Sequence, residues 1–443
     1  MENGFDASAP SPLEDASAAR QSSPLRPLLE ETLQSANRNA GRNVYLTLDA
    51  DRVLAEAEQL ERNTVGGPRP PLYGVPIAIK DCFDVAGYTT TCGVRVFADR
   101  NGVAAADSAV AGRLRRQGAL VIGKTHLHPA AYGITGENPD YGDCLQPRDA
   151  RLLTGGSSSG SAASVQEGSA LAAIGTDTGG SVRVPAALCG IAGYRSSIGL
   201  GRGMWEGGVH LSASFDTIGW LFRDLRDGPA LGSALFGLAR EAPPAEARIA
   251  VLPESFLHDC DPSVVDVYRL WKKELERAGA RLRDFDPDFW SDSVEIFAPL
   301  QAQEAAALHA GHFHELEKTI AERLAWGASF PAAELQSLSR RRAAFTARMD
   351  RLLEENDFLI APCSPMSELV AGADHSATRK RILRYTTPVS LAGMPAVALP
   401  GKGGGVQLAA ARGGDALLLA FASRLRPPAT PVKSPSEAGT RPQ

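Results

Sequence analysis

Gly155-Gly156-Ser157-Ser158-Ser159-Gly160 and, a short way downstream, Gly175-Thr176-Asp177-Thr178-Gly179-Gly180-Ser181 set this chain apart from an ordinary α/β protein. Both stretches pair serine hydroxyls with glycines, which let backbone N–H groups come close to a bound molecule. Upstream, the apolar run Tyr73-Gly74-Val75-Pro76-Ile77-Ala78-Ile79 ends in Lys80-Asp81. Serine nucleophiles, one amine and close-approaching amides make an inventory for acyl transfer without histidine.

An amide carbonyl demands a nucleophile, a stabilised oxyanion and a proton for the departing amine. Lysine removes a serine proton only when it is neutral, and its ordinary pKa is ~10.4. Burial disfavours the ammonium, and Lys80 at the end of an apolar strand is placed for that. An ordinary strand-end lysine is the plain alternative for this residue taken alone. Thr178-Gly179-Gly180 before Ser181 is more specific, because consecutive small residues can aim several N–H groups at one oxygen. Asp177 and Arg183 flank that loop with opposite charges, and their pairing is expected to hold it rigid.

Around these stretches, short apolar runs alternate with helical patterns. Val75–Ile79, Ala119–Ile122, Ile249–Leu252, Phe358–Ala361 and Ala396–Leu399 read as strands. Ala104–Gln117 reads as a helix stopped by Gly118, Val264, Tyr268, Trp271 and Leu275 carry helical spacing, and Ala416–Leu425 reads as a closing helix. This alternation predicts an α/β sandwich around a largely buried sheet, with a mainly helical cover over about 262–357. Residues 1–26 and 427–443, rich in Ala, Ser and Pro, are expected to be disordered tails around one domain spanning 27–426.

Bulk properties narrow the function classes. The chain has 443 residues, 44% hydrophobic and 22% charged, values of a soluble globular protein that can bury an active site. A net charge of −5 without a long Lys/Arg run argues against nucleic acid. Cys82, Cys92, Cys144, Cys189, Cys260 and Cys363 contain no C-x-x-C pair, which favours reduced thiols and a cytoplasmic location. No stretch is apolar for the ~18–20 residues a bilayer span needs, and the acidic N-terminus does not read as a signal peptide, so no membrane association is expected.

The two stretches, continued by Val182-Arg183-Val184-Pro185-Ala186 and Cys189-Gly190-Ile191-Ala192-Gly193, resemble the signature of the amidase signature family. Gly74–Asp81, Gly123-Lys124-Thr125, Ser214-Phe215-Asp216-Thr217-Ile218-Gly219 and Leu391-Ala392-Gly393-Met394-Pro395-Ala396-Val397 are similar to further family segments, so the resemblance covers about 27–425. It implies a central, mostly buried mixed β-sheet flanked by helices on both faces. It also implies a Ser-Ser-Lys triad in which Ser181 is the nucleophile, Ser157 the bridging serine and Lys80 the base, with a cis Gly156–Ser157 peptide. The N–H groups of Thr178, Gly179, Gly180 and Ser181 would form the oxyanion hole, and neither cofactor nor metal is needed. Arg195-Ser196-Ser197 stands where many relatives have Lys-Pro-Thr, at a position more structural than catalytic, and Gly404-Gly405-Val406-Gln407-Leu408 keeps only part of the usual C-terminal segment.

Three other matches fail on context. Gly156–Gly160 fits G-x-S-x-G centred on Ser158, but Arg148-Asp149-Ala150-Arg151 is a poor core strand to precede an elbow. Gly118–Thr125 fits the P-loop pattern, yet its apolar interior reads better as a strand than as a phosphate cradle. His309, His312 and His314, and His126 with His128, read as helix-surface or core histidines rather than ligands.

The expected substrate is a small carboxamide, with esters and carbamates as further candidates. Tyr132, Glu137 and Trp205 flank the signature as candidate pocket residues. No arginine pair stands out as a carboxylate clamp, so an amide of a dicarboxylic acid is not favoured. A glutamine-hydrolysing subunit of a transamidation complex is the alternative reading, an inactive scaffold is disfavoured by the intact triad, and the expected self-assembly, if any, is a homodimer.

Overall fold

The computed structural model describes residues 11–20 and 23–428. In the first part of the chain come α1 (Pro12–Arg20), α2 (Leu25–Arg38), β1 (Tyr45–Leu48), α3 (Ala50–Asn63), β2 (Pro76–Lys80), α4 (Arg95–Asn101), α5 (Ala109–Arg116) and β3 (Leu120–Thr125). The signature region follows with β4 (Leu145–Gln146), β5 (Asp149–Leu153), α6 (Ser159–Glu167), β6 (Ala172–Asp177), α7 (Arg183–Cys189), β7 (Ala192–Arg195), β8 (Thr217–Phe222) and α8 (Asp227–Phe236). The last part holds β9 (Arg248–Val251), α9 (Pro262–Arg277), β10 (Arg281–Asp284), α10 (Ser293–Leu308), α11 (Lys318–Ala328), α12 (Ala332–Glu355), β11 (Phe358–Pro362), α13 (Thr378–Leu391), β12 (Ala396–Leu399), β13 (Val406–Ala409) and α14 (Asp415–Ala422).

Eleven strands form one mixed sheet in the order β1-β3-β2-β6-β8-β7-β12-β13-β11-β9-β10, while β4 and β5 pair separately. β2 runs parallel to β3 and β6, and β9 parallel to β10 and β11; the remaining neighbours are antiparallel. Every residue of β2, β3, β6, β8, β11 and β12 is buried, so both faces of the sheet are covered. Alternation along the strands sorts their side chains between the faces. Ile77 and Ile79 join Val110 and Leu114 of α5 in the main core. Ala78, Ala173 and Ala398 point the other way and pack with Ala162 and Val165 of α6 and Ala186 and Ala187 of α7. Alanines on that face let the two helices that follow the serine segments lie close to the sheet.

The closeness is visible at Gly160 and Gly175. A Cβ on Gly160 would stand 2.1 Å from the Val44 carbonyl oxygen, and one on Gly175 would stand 2.8 Å from Ser158 Oγ. Larger residues at either place would push the serine segments off the sheet.

The N-terminal expectation is corrected. Residues 12–20 and 25–38 are helical, although 1–10 and 21–22 lie outside the described residues. Ser11 and Glu14 form a capping box, Glu14 N–H donating to Ser11 Oγ and Ser11 N–H to Glu14 Oε2, with Pro12 at the first helical position. Leu13 is buried and its N–H donates to Asp227 Oδ1. One buried leucine and a cap therefore anchor a segment whose composition alone reads as unstructured. Of the C-terminal tail, only Pro427 and Pro428 fall among the described residues.

The stretch 262–357 holds α9 to α12 and also contributes β10 to the sheet. Of Arg148–Arg151, residues 149–151 do enter a strand, but in the small β4–β5 pair rather than the core. Gly118–Thr125 is strand β3 with its preceding turn. Among the described residues no helix is long and apolar enough to cross a membrane, and the cysteines are free thiols.

Candidate active site

β2 delivers Lys80 into the interior at its C-terminal end, fully buried. Its Nζ donates to Ser157 Oγ at 2.7 Å and to Thr176 Oγ1 at 2.7 Å. Burial pushes the Lys80 ammonium below its ordinary value, against the more distant pull of Cys82, Asp216 and Asp177. Hydroxyls accept its protons without supplying a counter-charge, so little offsets desolvation. Thr176 is the second hydroxyl that orients the amine, a role its place in the motif does not announce.

Ser157 lies in the turn into α6, and the Gly156–Ser157 peptide is cis. Ser181 lies just ahead of α7, buried, and its carbonyl accepts from Ser158 N–H at 3.1 Å. That bond ties the two serine segments together. The Ser181 hydroxyl itself makes no hydrogen bond among the described residues, so the Lys80–Ser157 arm is formed and the Ser157–Ser181 arm is not. Ser158 Oγ, by contrast, is engaged with both the carbonyl and the N–H of Thr176.

The loop before Ser181 is held by a buried charge cluster. Arg183 grips Asp177 with two nitrogens, Nη2–Oδ1 at 2.9 Å and Nε–Oδ2 at 3.0 Å. The expected pairing is present, and Arg195 joins it with Nη1 at 2.9 Å from Asp177 Oδ1. Arg195 also donates to the carbonyls of Asp177, Phe215 and Met394, which binds the loop to the segments before β8 and β12. Burial alone would raise the Asp177 carboxyl, but the two guanidiniums outweigh it and hold it well below the carboxylate range. Arg183 is further fixed by Gln407 Oε1 at 2.6 Å and Ser390 Oγ at 2.6 Å. The roles of Arg195 and Gln407 escape sequence reading because their partners arrive from distant strands.

One of the four expected oxyanion donors departs from expectation. Gly180 N–H donates to Asp177 Oδ1 at 2.9 Å, since the left-handed turn at Gly180 (φ 128°) folds it back onto the carboxylate. The N–H groups of Thr178, Gly179 and Ser181 have no acceptor among the described residues, which leaves three donors at the loop. Thr178 Oγ1 donates to Asp216 Oδ1 at 2.6 Å, and Asp216 also accepts from Leu211 N–H and Ser212 N–H. Phe297 of α10 and Leu383 of α13 press on Gly179, where a Cβ would meet them at 3.0 and 3.2 Å.

The three candidate pocket residues take different positions. Trp205 stacks on His210 at 4.0 Å between centroids, and His210 Nδ1 lies 3.0 Å from Asp216 Oδ2, so the indole reaches the Thr178 end of the loop through two side chains. Glu137 accepts from Thr135 Oγ1 at 2.7 Å. Tyr132 is buried after a turn in which Ala130 and Ala131 both take positive φ, and two arginines lie over its ring: Arg323 at 5.8 Å and Arg379 at 5.5 Å. Two arginines thus meet beside the signature, a pair that the sequence does not single out. Its members sit on separate helices, α11 and α13, and each resembles an ordinary helix-face arginine in isolation.

The histidine groups hold no surprises of chemistry. His126 Nε2 lies 2.9 Å from the Gly142 carbonyl, His128 N–H donates to the Ser157 carbonyl at 3.1 Å, His309 stacks on Phe97, and His312 pairs with Glu315.

Comparison with known proteins agrees with this architecture. A family model described as Amidase matches residues 27–419. A solved structure described as an amidase superposes with a TM-score of 0.83 at 30% identity, covering 93% of this chain and 97% of that one. AtzE, a 1-carboxybiuret hydrolase subunit from Pseudomonas sp. (strain ADP), is 31% identical over 89% of this chain and 93% of its own. A glutamyl-tRNA(Gln) amidotransferase subunit from Symbiobacterium thermophilum is 31% identical over 80% of this chain and 82% of its own.

Proposed function

The chain belongs to the amidase family, and we propose that it hydrolyses the C–N bond of a carboxamide through an acyl-enzyme on Ser181. Esters and carbamates are expected as additional substrates, because they present the same carbonyl with an easier leaving group. The observation that carries the reading is Lys80 Nζ at 2.7 Å from Ser157 Oγ, both fully buried and with no carboxylate of the described residues on the amine.

In this mechanism neutral Lys80 takes the proton of Ser157 as Ser157 takes that of Ser181. The Ser181 oxygen attacks the amide carbonyl, and the new oxyanion is met by the N–H groups of Thr178, Gly179 and Ser181. Collapse breaks the C–N bond while the relay runs backward and protonates the leaving nitrogen. Water, deprotonated by the same relay, then attacks the ester and frees the acid. Asp177, Arg183 and Arg195 act as positioning residues, keeping the donor loop in place before charge develops.

Intact mass after exposure to a fluorophosphonate tests this. One adduct on the wild type and none on Ser181→Ala is expected. Equal labelling of both moves the nucleophile elsewhere, with Ser158 the first suspect. Absence of labelling on the wild type removes the acyl-enzyme reading.

A second reading, a glutamine-hydrolysing subunit that delivers ammonia within a transamidation complex, is favoured by relatives bearing the amidotransferase name at 29–31% identity. It predicts glutaminase activity that depends on partner subunits. Turnover of free amides by the isolated chain counts against it.

A further inference from the structure

The donor loop contains two consecutive glycines, Gly179 and Gly180, the residue type with the widest backbone freedom. Its N–H groups can meet a developing oxyanion only if that freedom is removed beforehand. The peptide plane between Gly179 and Gly180 is held at both polar ends. Its N–H donates to Asp177 Oδ1 at 2.9 Å, and its carbonyl accepts from Thr386 Oγ1 at 2.5 Å. The planes on either side carry the N–H groups of Gly179 and Ser181. Pinning the middle plane therefore restricts both donors at once.

Thr386 stands on α13 and is fully buried. Its hydroxyl has one proton and two carbonyls in reach, Gly179 at 2.5 Å and Ile382 of its own helix at 3.5 Å. The short bond to the loop takes that proton. Among the described residues no other group donates to the Gly179 carbonyl. The rest of the side chain lies flush on the loop, since a Cβ on Gly180 would meet Thr386 Oγ1 at 2.9 Å and Cγ2 at 3.0 Å. The Thr386 carbonyl in turn accepts from Arg183 Nη1 at 3.0 Å, and the Tyr385 carbonyl beside it from Gln407 Nε2 at 2.7 Å. Hydrogen bonds thus run in a closed circuit from Asp177 through the Gly179–Gly180 plane, Thr386 and Arg183 back to Asp177. Thr386 is the member of that circuit that comes from outside the signature.

Resting on the amidase reading, we propose that Thr386 is a positioning residue of the oxyanion hole. Its hydroxyl locks the Gly179–Gly180 plane so that the Gly179 and Ser181 N–H groups point at the substrate oxygen before charge develops. Without the hydroxyl the Gly179 carbonyl is left buried and unpaired, and the plane turns to find another partner. Thr386 makes no hydrogen bond to Lys80 or Ser157, so its loss leaves proton transfer alone. The effect falls on the transition state, where the oxyanion exists, more than on the bound substrate.

The second-order rate of fluorophosphonate labelling tests this on the full-length chain, because the phosphoryl oxygen takes the place of the substrate oxygen at the donors. Thr386→Val keeps the shape of the side chain and removes the O–H. It should label about 10–100-fold more slowly than the wild type, short of the ~10²–10³ that follows outright removal of a donor. Thr386→Ser restores the hydroxyl and should recover most of that rate. The pH at which labelling rises reports on Lys80 and should be the same in all three proteins, whereas a disturbed relay would shift it. Thermal melting checks that each variant is folded, and Thr386→Ala asks the same question if the valine variant is not. Labelling of the valine variant at the wild-type rate overturns the proposal. So does a loss that Thr386→Ser shares in full, or a loss that comes with a shifted pH limb. Absence of labelling on the wild type instead removes the amidase reading, so the two failures give different results.

Discussion

Lys80 and Lys124 end neighbouring parallel strands, both wholly buried, yet the groups they face make them different chemical objects. Lys124 Nζ lies 2.6 Å from Asp81 Oδ1 and 2.9 Å from Thr90 Oγ1. Asp81 in turn accepts from Thr91 N–H at 2.9 Å, which ties the pair to the loop after β2. Among the described residues Lys80 meets only the hydroxyls of Ser157 and Thr176. Burial is common to both; the carboxylate is not. A buried lysine beside a carboxylate is a structural cation, whereas one among hydroxyls is a candidate base.

The comparison breaks most visibly through activity. Lys80→Met should lower kcat/KM for any turned-over amide by about 10²–10⁴-fold, the usual range for a lost general base. Stability should change little, because the substitution removes a desolvated amine and leaves Ser157 and Thr176 near one another. Steady-state kinetics with a denaturation curve on the same sample checks both halves. Near-wild-type turnover would remove Lys80 from the mechanism.

Lys124→Met should do the reverse. It strands the Asp81 carboxylate without its partner, at a cost of about 3–5 kcal/mol by analogy with other broken buried pairs. Adding Asp81→Asn should recover much of that loss, since the amide can keep accepting from Thr91. Chemical denaturation of the four proteins in the cycle measures the coupling. Additive losses would mean that the two groups do not act as a pair.

The pH profile sharpens the contrast at smaller amplitude. Lys80 works as a base only when deprotonated, and burial lowers its pKa. The rising limb of kcat/KM should therefore fall below the ordinary lysine value of ~10.4. Activity grows as pH rises through that lowered value and is lost below it. A limb at the ordinary value would mean that the amine is solvated.

How much of this is legible in sequence follows from distance along the chain. Lys80, Ser157, Ser181 and the Asp177–Arg183 pair lie in contiguous motifs whose residue types point to acyl transfer, while the separate role of each triad member comes from the family resemblance. Strands β2, β3, β9, β11 and β12 are readable as apolar runs. β6 is not, because Ala172-Ala173-Ile174-Gly175-Thr176-Asp177 keeps small residues where α6 and α7 approach, and small residues carry little strand signal. β1 and β8 likewise emerge only in the structure. The arginine pair over Tyr132 depends on α11 and α13 both packing on α10, and Arg195 reaches Asp177 from a different strand. The engaged N–H of Gly180 depends on a backbone turn that residue identity does not specify. Long-range side-chain convergence is what a single sequence conceals.

His126, just beyond β3, asks whether burial without a counter-charge is enough to neutralise a base outside the catalytic relay. It is fully buried; one ring nitrogen, Nε2, faces the Gly142 carbonyl, and the other, Nδ1, has no partner among the described residues. A second ring proton would have no acceptor, so the neutral ring with hydrogen on Nε2 is favoured. Burial pushes its pKa down to about 4, only partly opposed by the bond to Gly142. The unfolded chain binds that proton near pH 6.5, so the stabilisation is fully present above 6.5 and shrinks as pH falls toward 4. The loss amounts to roughly 3 kcal/mol at the acid end of that window. His126→Gln keeps an N–H donor for Gly142 and removes the titration. Wild type should therefore lose stability between pH 6.5 and 4 more steeply than the variant, read from denaturant midpoints at each pH. Parallel curves would mean that the ring titrates in the fold as it does in the unfolded chain, and that burial alone does not depress the basicity of a side chain here.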